Sequence, residues 1–209
     1  VIYNSPHLVE ALGRSLIGNM ASTVVPPLLR IYSDSLVKSL FGRNALAIQN
    51  AKRSQFFYHE KGYMIPMNYY ININPSLYGG LSYIFMCRCA DSAGKEFILL
   101  SEEGEIESFT KEVGDSLGLF SNKGSYSTDS KILITTVCPE FTMIQQAYNI
   151  VNFPEKFKTP QPAELMMDLD EAQEICSIFS DQGKNISFTP LKHRIPSKNL
   201  IYKCTIKPI

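Results

Sequence analysis

The sequence predicts an α+β protein made of two small domains, and three observations lead there. Three successive runs rich in aromatic and β-branched residues, within residues 55–89, carry the pattern of an antiparallel meander. Stretches with apolar residues at three- and four-residue intervals lie before and after them, the period of helices with one buried stripe. An opening segment then recurs about 105 residues later, the length of one small domain.

In chain order, residues 1–3 read as the end of a strand. Ser5 and Pro6 cap and start a short helix through Leu8, Ala11 and Leu12, which stops at Gly13. Pro26 and Pro27 are placed to start a longer helix with Leu28, Leu29, Tyr32, Leu36, Val37 and Leu40 on one stripe. Residues 55–59 and 63–74 flank Glu60, Lys61 and Gly62, a hairpin signature. After a break at residues 75–80, residues 81–89 supply the third strand. A polar connector at residues 91–94 leads to strands at 97–100 and 105–109, with Glu103 and Gly104 in the turn between them.

A helical stretch follows, carrying Val113 and Leu117 and closing at Gly118. The remainder reads as a polar insertion at 121–131, an apolar run at 132–137, a helix at 140–150 and a loop with three Pro at 153–162. A further helix carries Leu165, Leu169, Ala172, Cys176 and Phe179 on one stripe. Strands at 185–188 and 200–206 end the second domain. Ile2, Tyr3 and Asn4 with Leu12 and Gly13 correspond to Ile106, Glu107 and Ser108 with Leu117 and Gly118, so the expected domains are residues 1–93 and 94–209.

Composition narrows the function. With 20 basic and 20 acidic side chains among 209 residues, the formal charge is zero, so no global attraction to nucleic acid or an anionic surface is expected. Zero is nevertheless a sum of unlike halves: residues 1–94 hold eight Lys/Arg and four Asp/Glu, the rest twelve and sixteen. The longest apolar runs, 24–29 and 132–137, are far shorter than the roughly 20 residues of a membrane span. The chain begins at Val1 and reads as an internal piece of a longer polypeptide. Its five Cys show no Cys-x-x-Cys spacing, which argues against zinc and a disulfide framework and for a reducing, cytosolic setting.

The order of strand, short helix ending in Leu-Gly, helices and three-strand meander resembles a PAS domain, and most nearly the tandem PAS region of ciliate TmcB-like transmembrane PAS proteins. The residues that carry this resemblance are Ile2, Tyr3, Asn4 and Ser5; Leu12 and Gly13; Ile17, Gly18 and Asn19; Pro26 and Pro27; Gly62, Tyr63, Ile65 and Pro66; Asn74, Pro75 and Ser76; then Glu103, Gly104, Glu105, Ile106 and Phe109. It covers residues 1–119 well and thins beyond them. It implies two PAS-like domains, each an antiparallel sheet of about five strands with helices packed on one face, the first copy lacking its first strand. It also implies a parent chain with many membrane spans.

The resemblance implies a place for flavin, haem or a small metabolite between sheet and helices, and each requires particular residues. Gly42, Arg43 and Asn44 match the flavin-photoreceptor motif, but Ala45 stands where its reactive Cys belongs. Haem needs an axial ligand on a helix facing the pocket, whereas His7 is near a helix start, His59 at a hairpin turn and His193 in a loop. Asp168, Asp170, Glu171 and Glu174 lack the spacing and Gly of a calcium loop and read as a solvated helix face. No nucleophile has a His partner in a catalytic pattern, so neither an enzyme nor a cofactor is expected. Asn185, Ile186 and Ser187 form a sequon that matters only in a secreted protein.

What stands out is the aromatic hairpin. Phe56, Tyr58, Tyr63, Tyr69 and Tyr70 are candidates for an interaction surface, or else fill the core and cover the sheet. The leading expectation is a non-catalytic tandem PAS-like module that binds protein partners or neighbouring domains of the same chain within a membrane-associated or ciliary assembly, on the cytoplasmic side. The alternative is a PAS sensory module that binds a small ligand and regulates a distant effector. Neither involves nucleic acid, and membrane contact comes only through parts of the chain outside this segment.

Overall fold

The computed structural model describes residues 1, 3–31, 51–76, 80–91, 93–121, 124–126, 132–152, 167, 169–191 and 200–207. Among them the chain is α+β, with antiparallel sheets and short helices in the order α1 (Pro6–Leu12), β1 (Arg53–Tyr58), β2 (Met64–Ser76), β3 (Gly80–Cys89), β4 (Ile98–Leu100), β5 (Ile106–Phe109), α2 (Lys111–Leu117), α3 (Ile134–Val137), α4 (Phe141–Asn152), α5 (Leu169–Ser177), β6 (Lys184–Phe188) and β7 (Leu200–Cys204). These strands form a three-stranded sheet in the order β1-β2-β3 and two hairpins, β4-β5 and β6-β7. The residues group into two compact units that interleave along the chain: 1–101 with 106–115 and 120–131, and 102–105 with 116–119 and 132–209.

In the first unit, α1 forms as its residues dictate. Ser5 precedes the helix in an extended conformation and its Oγ accepts from the Leu8 N–H at 3.3 Å, while Pro6 occupies a first-turn position that needs no donor. Gly13 ends the helix at φ 72°, a left-handed conformation that a side chain disfavours. Val1 and Tyr3, expected to end a strand, belong to none. The Val1 carbonyl instead accepts from the Gly18 N–H. Pro27 does start a turn of 3-10 helix, Pro27–Leu29. The rest of the expected helix, with Tyr32, Leu36, Val37 and Leu40, lies outside the described residues, as do residues 42–45.

The meander is as expected. β1 and β2 pair antiparallel from Tyr58 opposite Met64 to Arg53 opposite Tyr69, and β2 and β3 from Met67 opposite Cys89 to Ser76 opposite Gly80. One face is apolar at alternate positions, the period-two pattern of a half-buried sheet. Phe57, Met67, Tyr69 and Ile71 join Leu12, Leu16, Val24, Val25 and Leu29 in a single buried cluster, where each large side chain contributes about 1.5–3 kcal/mol. β4 and β5 complete this unit, with the Phe109 ring enclosed by Phe120 and Tyr126 at 5.3 and 4.7 Å. Tyr126 comes from the polar insertion and is buried, its hydroxyl donating to the Ile106 carbonyl.

The second unit gathers α3, α4, α5 and the β6-β7 hairpin. The apolar run at 132–137 resolves into the single turn α3, whose Cys138 N–H closes on the Ile134 carbonyl. Ile144 and Ala147 give α4 its buried stripe. On α5 and the π-helical turn after it, Ala172 and Phe179 are buried and Cys176 is half-buried, as the stripe requires. Leu169 departs from that stripe: at the helix start it is exposed. Leu165, Asp168, His193 and the loop at 153–162 lie outside the described residues. No helix among the described residues is long and apolar enough to cross a membrane.

Candidate functional site

The register of the meander separates the five candidate aromatics. Side chains directly opposite each other in a sheet share a face. Tyr69, opposite Arg53 and Cys87, therefore points with Phe57 and Met67 into the core, where only 4% of it is exposed. Its ring meets Phe57 and Phe85 at centroid distances of 6.1 and 6.3 Å, and burial raises its hydroxyl pKa. Tyr69 thus fills core in this chain and offers no surface. Phe56, Tyr58 and Tyr70 belong to the other face. Phe56 is half-buried against the edge of Phe97 at 5.0 Å. Tyr58 is half-buried too, and its pKa is raised by that burial.

Tyr63 lies in the turn, stacked on His59 at 4.2 Å and edge-on to Phe120 at 6.1 Å. The turn is closely bonded. The His59 N–H donates to the Tyr63 carbonyl, the Gly62 N–H to the His59 carbonyl, and the Lys61 N–H to His59 Nδ1 at 3.0 Å. His59 is buried, and desolvation lowers its pKa. Its Nδ1 accepts from the Lys61 N–H and its ring stacks on Tyr63, so His59 helps hold the turn.

Of the five, Tyr70 leads to an exposed apolar surface. It is directly opposite Met86, and Asn72 is opposite Ile84, so these four side chains share one patch. Ile84 is 45% and Met86 47% exposed, and between them Phe85 is 38% exposed on the reverse face. β1 pairs with β2 only as far as Tyr69, so the β2-β3 ribbon extends beyond it. The sequence marks residues 81–89 as one strand but does not single out these three side chains. The signal was three successive large apolar residues in a strand, which puts apolar surface on both faces at once.

A cleft opens at the other end of the ribbon, lined by Pro66, Ala90 and the start of α2. It is an open cleft of about 360 Å³ whose polar rim includes Lys95, Glu96, Lys111 and Glu112. Glu96 Oε2 accepts from the Thr110 hydroxyl, and Lys111 Nζ donates to Asp115 at 2.7 Å. Elsewhere burial disfavours the thiolates of Cys87, Cys138, Cys176 and Cys204. Burial pushes Cys87 and Cys204 each up to about 11, and it raises Cys138 and Cys176 as well. No group of three His, Cys, Asp or Glu able to hold a metal ion occurs among the described residues.

No protein-family model matches this chain, and no curated protein matches it in sequence.

Proposed function

We propose that this chain is a non-catalytic protein-interaction module of two PAS-like domains, residues 1–93 and 94–209, part of a larger membrane-associated or ciliary assembly. The observation that carries the reading is the exposed apolar patch of Ile84 and Met86 beside Tyr70, with Phe85 on the reverse face of the same strand. Clustered large apolar side chains on an outer strand cost solvation in isolation and are stabilised by a covering protein surface. The order of Leu-Gly helix stops and meander strands supports the PAS-like assignment. Both helices that end in Leu-Gly close the same way: Leu12 and Leu117 are buried, and Gly13 and Gly118 adopt φ of 72° and 67°.

The test places a photo-reactive amino acid at position 84, and in a separate protein at the exposed Ile17, within the chain's own cells. A discrete adduct is expected from position 84 only. Excess purified chain should compete it away, and the Ile84→Glu/Met86→Glu chain should not. Equal labelling from both positions would refute the reading. The cleft beside Thr110 supports a second reading, a sensor for a small polar ligand, since its volume lies in the range of small-molecule sites. Native mass spectrometry of chain purified from its source would then find a stoichiometric small molecule.

A further inference from the structure

We propose that Arg14, Arg30 and the Tyr58 hydroxyl form a binding site for a phosphate group. The inference stands apart from the protein-interaction reading, since it uses no residue of the Ile84–Met86 patch. Three element ends converge here, all within the first unit. Arg14 directly follows Gly13, the stop of α1; Arg30 follows the turn Pro27–Leu29; Tyr58 is the last residue of β1. The stretch between the two arginines gathers their heads. Arg14 Nη2 donates to the Thr23 carbonyl at 2.8 Å, and Arg30 Nε donates to the Val25 carbonyl at 3.3 Å. Those acceptors are two residues apart, so their Cα atoms are at most about 7 Å from each other. Val24 and Val25 in turn are buried in one cluster with Phe57, which fixes this stretch against the end of β1.

The cluster holds donor capacity that the protein does not use. Arg14 Nε is buried and has no hydrogen-bond partner. A buried N–H left unsatisfied is unfavourable and rare, and a charged one more so. Neither Arg14 nor Arg30 forms an ion pair among the described residues, and both are half-buried, so solvent and a small group can still reach them. Burial raises the Tyr58 pKa while Arg14 and then Arg30 pull it down, so both cations lie within electrostatic reach of one hydroxyl.

Charge and shape choose the ligand. Two guanidiniums favour a dianion, and their planar forks match the oxygens of phosphate or carboxylate. Donors arriving from three separate elements suit a tetrahedral phosphate, whose oxygens accept in several directions, better than a planar carboxylate with two oxygens. Two acidic side chains border the cluster: Glu107 acts on Tyr58, and Glu60 acts on His59, as Arg14 does. Neither pairs with an arginine among the described residues. Their charge offsets part of the attraction, so inorganic phosphate alone is expected to bind with a Kd of about 1 mM.

NMR spectroscopy of the isotopically labelled whole chain, titrated with sodium phosphate at constant ionic strength, tests the proposal, with circular dichroism as the check that each variant folds. The Arg14 Nε–H signal and the backbone amides around residues 14, 30 and 58 should shift together and saturate in the millimolar range. Arg14→Gln and Arg30→Gln should each weaken binding about tenfold or more, and Tyr58→Phe about threefold. Arg53→Gln should leave it unchanged: Arg53 Nε is also buried without a partner, but it is at the other end of β1. That control separates this cluster from any guanidinium with an unused donor. Shifts that never saturate, or equal losses from Arg30→Gln and Arg53→Gln, would overturn the proposal, and the Arg30 arm stands even where Arg14→Gln fails to fold. A pentapeptide carrying phosphoserine then identifies the source of the phosphate. Tighter binding than that of inorganic phosphate assigns the site to a phosphorylated protein, and binding no tighter assigns it to a small phosphate ester.

Discussion

Replacing Gly114 with alanine sets local helix preference directly against tertiary packing. Gly114 is in the middle of α2, and judged on helix propensity alone the change should stabilise the chain by about 1 kcal/mol. The surroundings reverse that sign. A Cβ at this position would lie 2.2 Å from Phe109 Cε2, 2.8 Å from Phe109 Cδ2 and 2.5 Å from Phe120 Cε2. Carbon atoms in contact rest about 3.5–4.0 Å apart, so the rings must withdraw by about 1 Å or more. Phe109 is fully buried and held in edge-to-face contact by Phe120 and Tyr126, which leaves it nowhere to go without disturbing both pairs. Overpacking costs about 1–3 kcal/mol, and each disturbed aromatic pair up to about 1 kcal/mol more. The net expectation is a loss of about 1–3 kcal/mol in urea unfolding followed by far-UV circular dichroism, suited to a chain without Trp. In a Phe109→Leu background the same Gly114→Ala change should cost at least about 1 kcal/mol less, because the closest ring is gone. A Gly114→Ala chain more stable than its parent by about 1 kcal/mol would show that propensity governs this site and that the rings do not close over it.

The hairpin turn offers a paired comparison: Gly62 has φ 88° and a Cβ there would meet the Tyr126 carbonyl oxygen at 2.1 Å, whereas Gly124 has φ 71° and nothing within 4 Å. Thermal unfolding should show Gly62→Ala losing more than about 2 kcal/mol and Gly124→Ala only about 1 kcal/mol, the cost of the backbone conformation alone. Stability should also fall on acidification through His59. Burial lowers its pKa below the ordinary 6.5, so its contribution is complete above that value and lost as the pH drops through the lowered one. His59→Gln, able to accept a hydrogen bond without titrating, should flatten that part of a stability-against-pH profile. Asp115→Asn should change stability by less than about 0.5 kcal/mol, because its partner Lys111 and Asp115 itself are more than half exposed; a larger loss that persists in high salt would contradict this.

How far the sequence could be read depended on whether the deciding forces were local. Ser5, Pro6 and Gly13 bounded α1 because capping and left-handed backbone act within a few residues, and Glu60, Lys61 and Gly62 marked the hairpin for the same reason. The α+β class followed from hydrophobic period, which needs no knowledge of partners. Failures occurred where a partner was required. Among the described residues Val1 and Tyr3 pair with no strand, and Leu169, on the expected buried stripe, is half exposed at a helix start. The aromatics of the hairpin were legible as a group, but the face each one takes was not.

Sequence alone determined, then, the α+β class, the helix stops at Gly13 and Gly118 and the presence of an aromatic meander, since those follow from conformational preference and periodicity. Only the tertiary structure decided which side of that meander is core. Register places Tyr69 inside and leaves Ile84 and Met86 outside, because a one-residue shift in pairing exchanges the two faces and the shift is settled by the neighbouring strands together. Likewise Gly114 reads as a weak helix residue in the sequence and becomes the space that Phe109 and Phe120 occupy in the fold, a relation set by how the two rings pack over the helix rather than by helix preference.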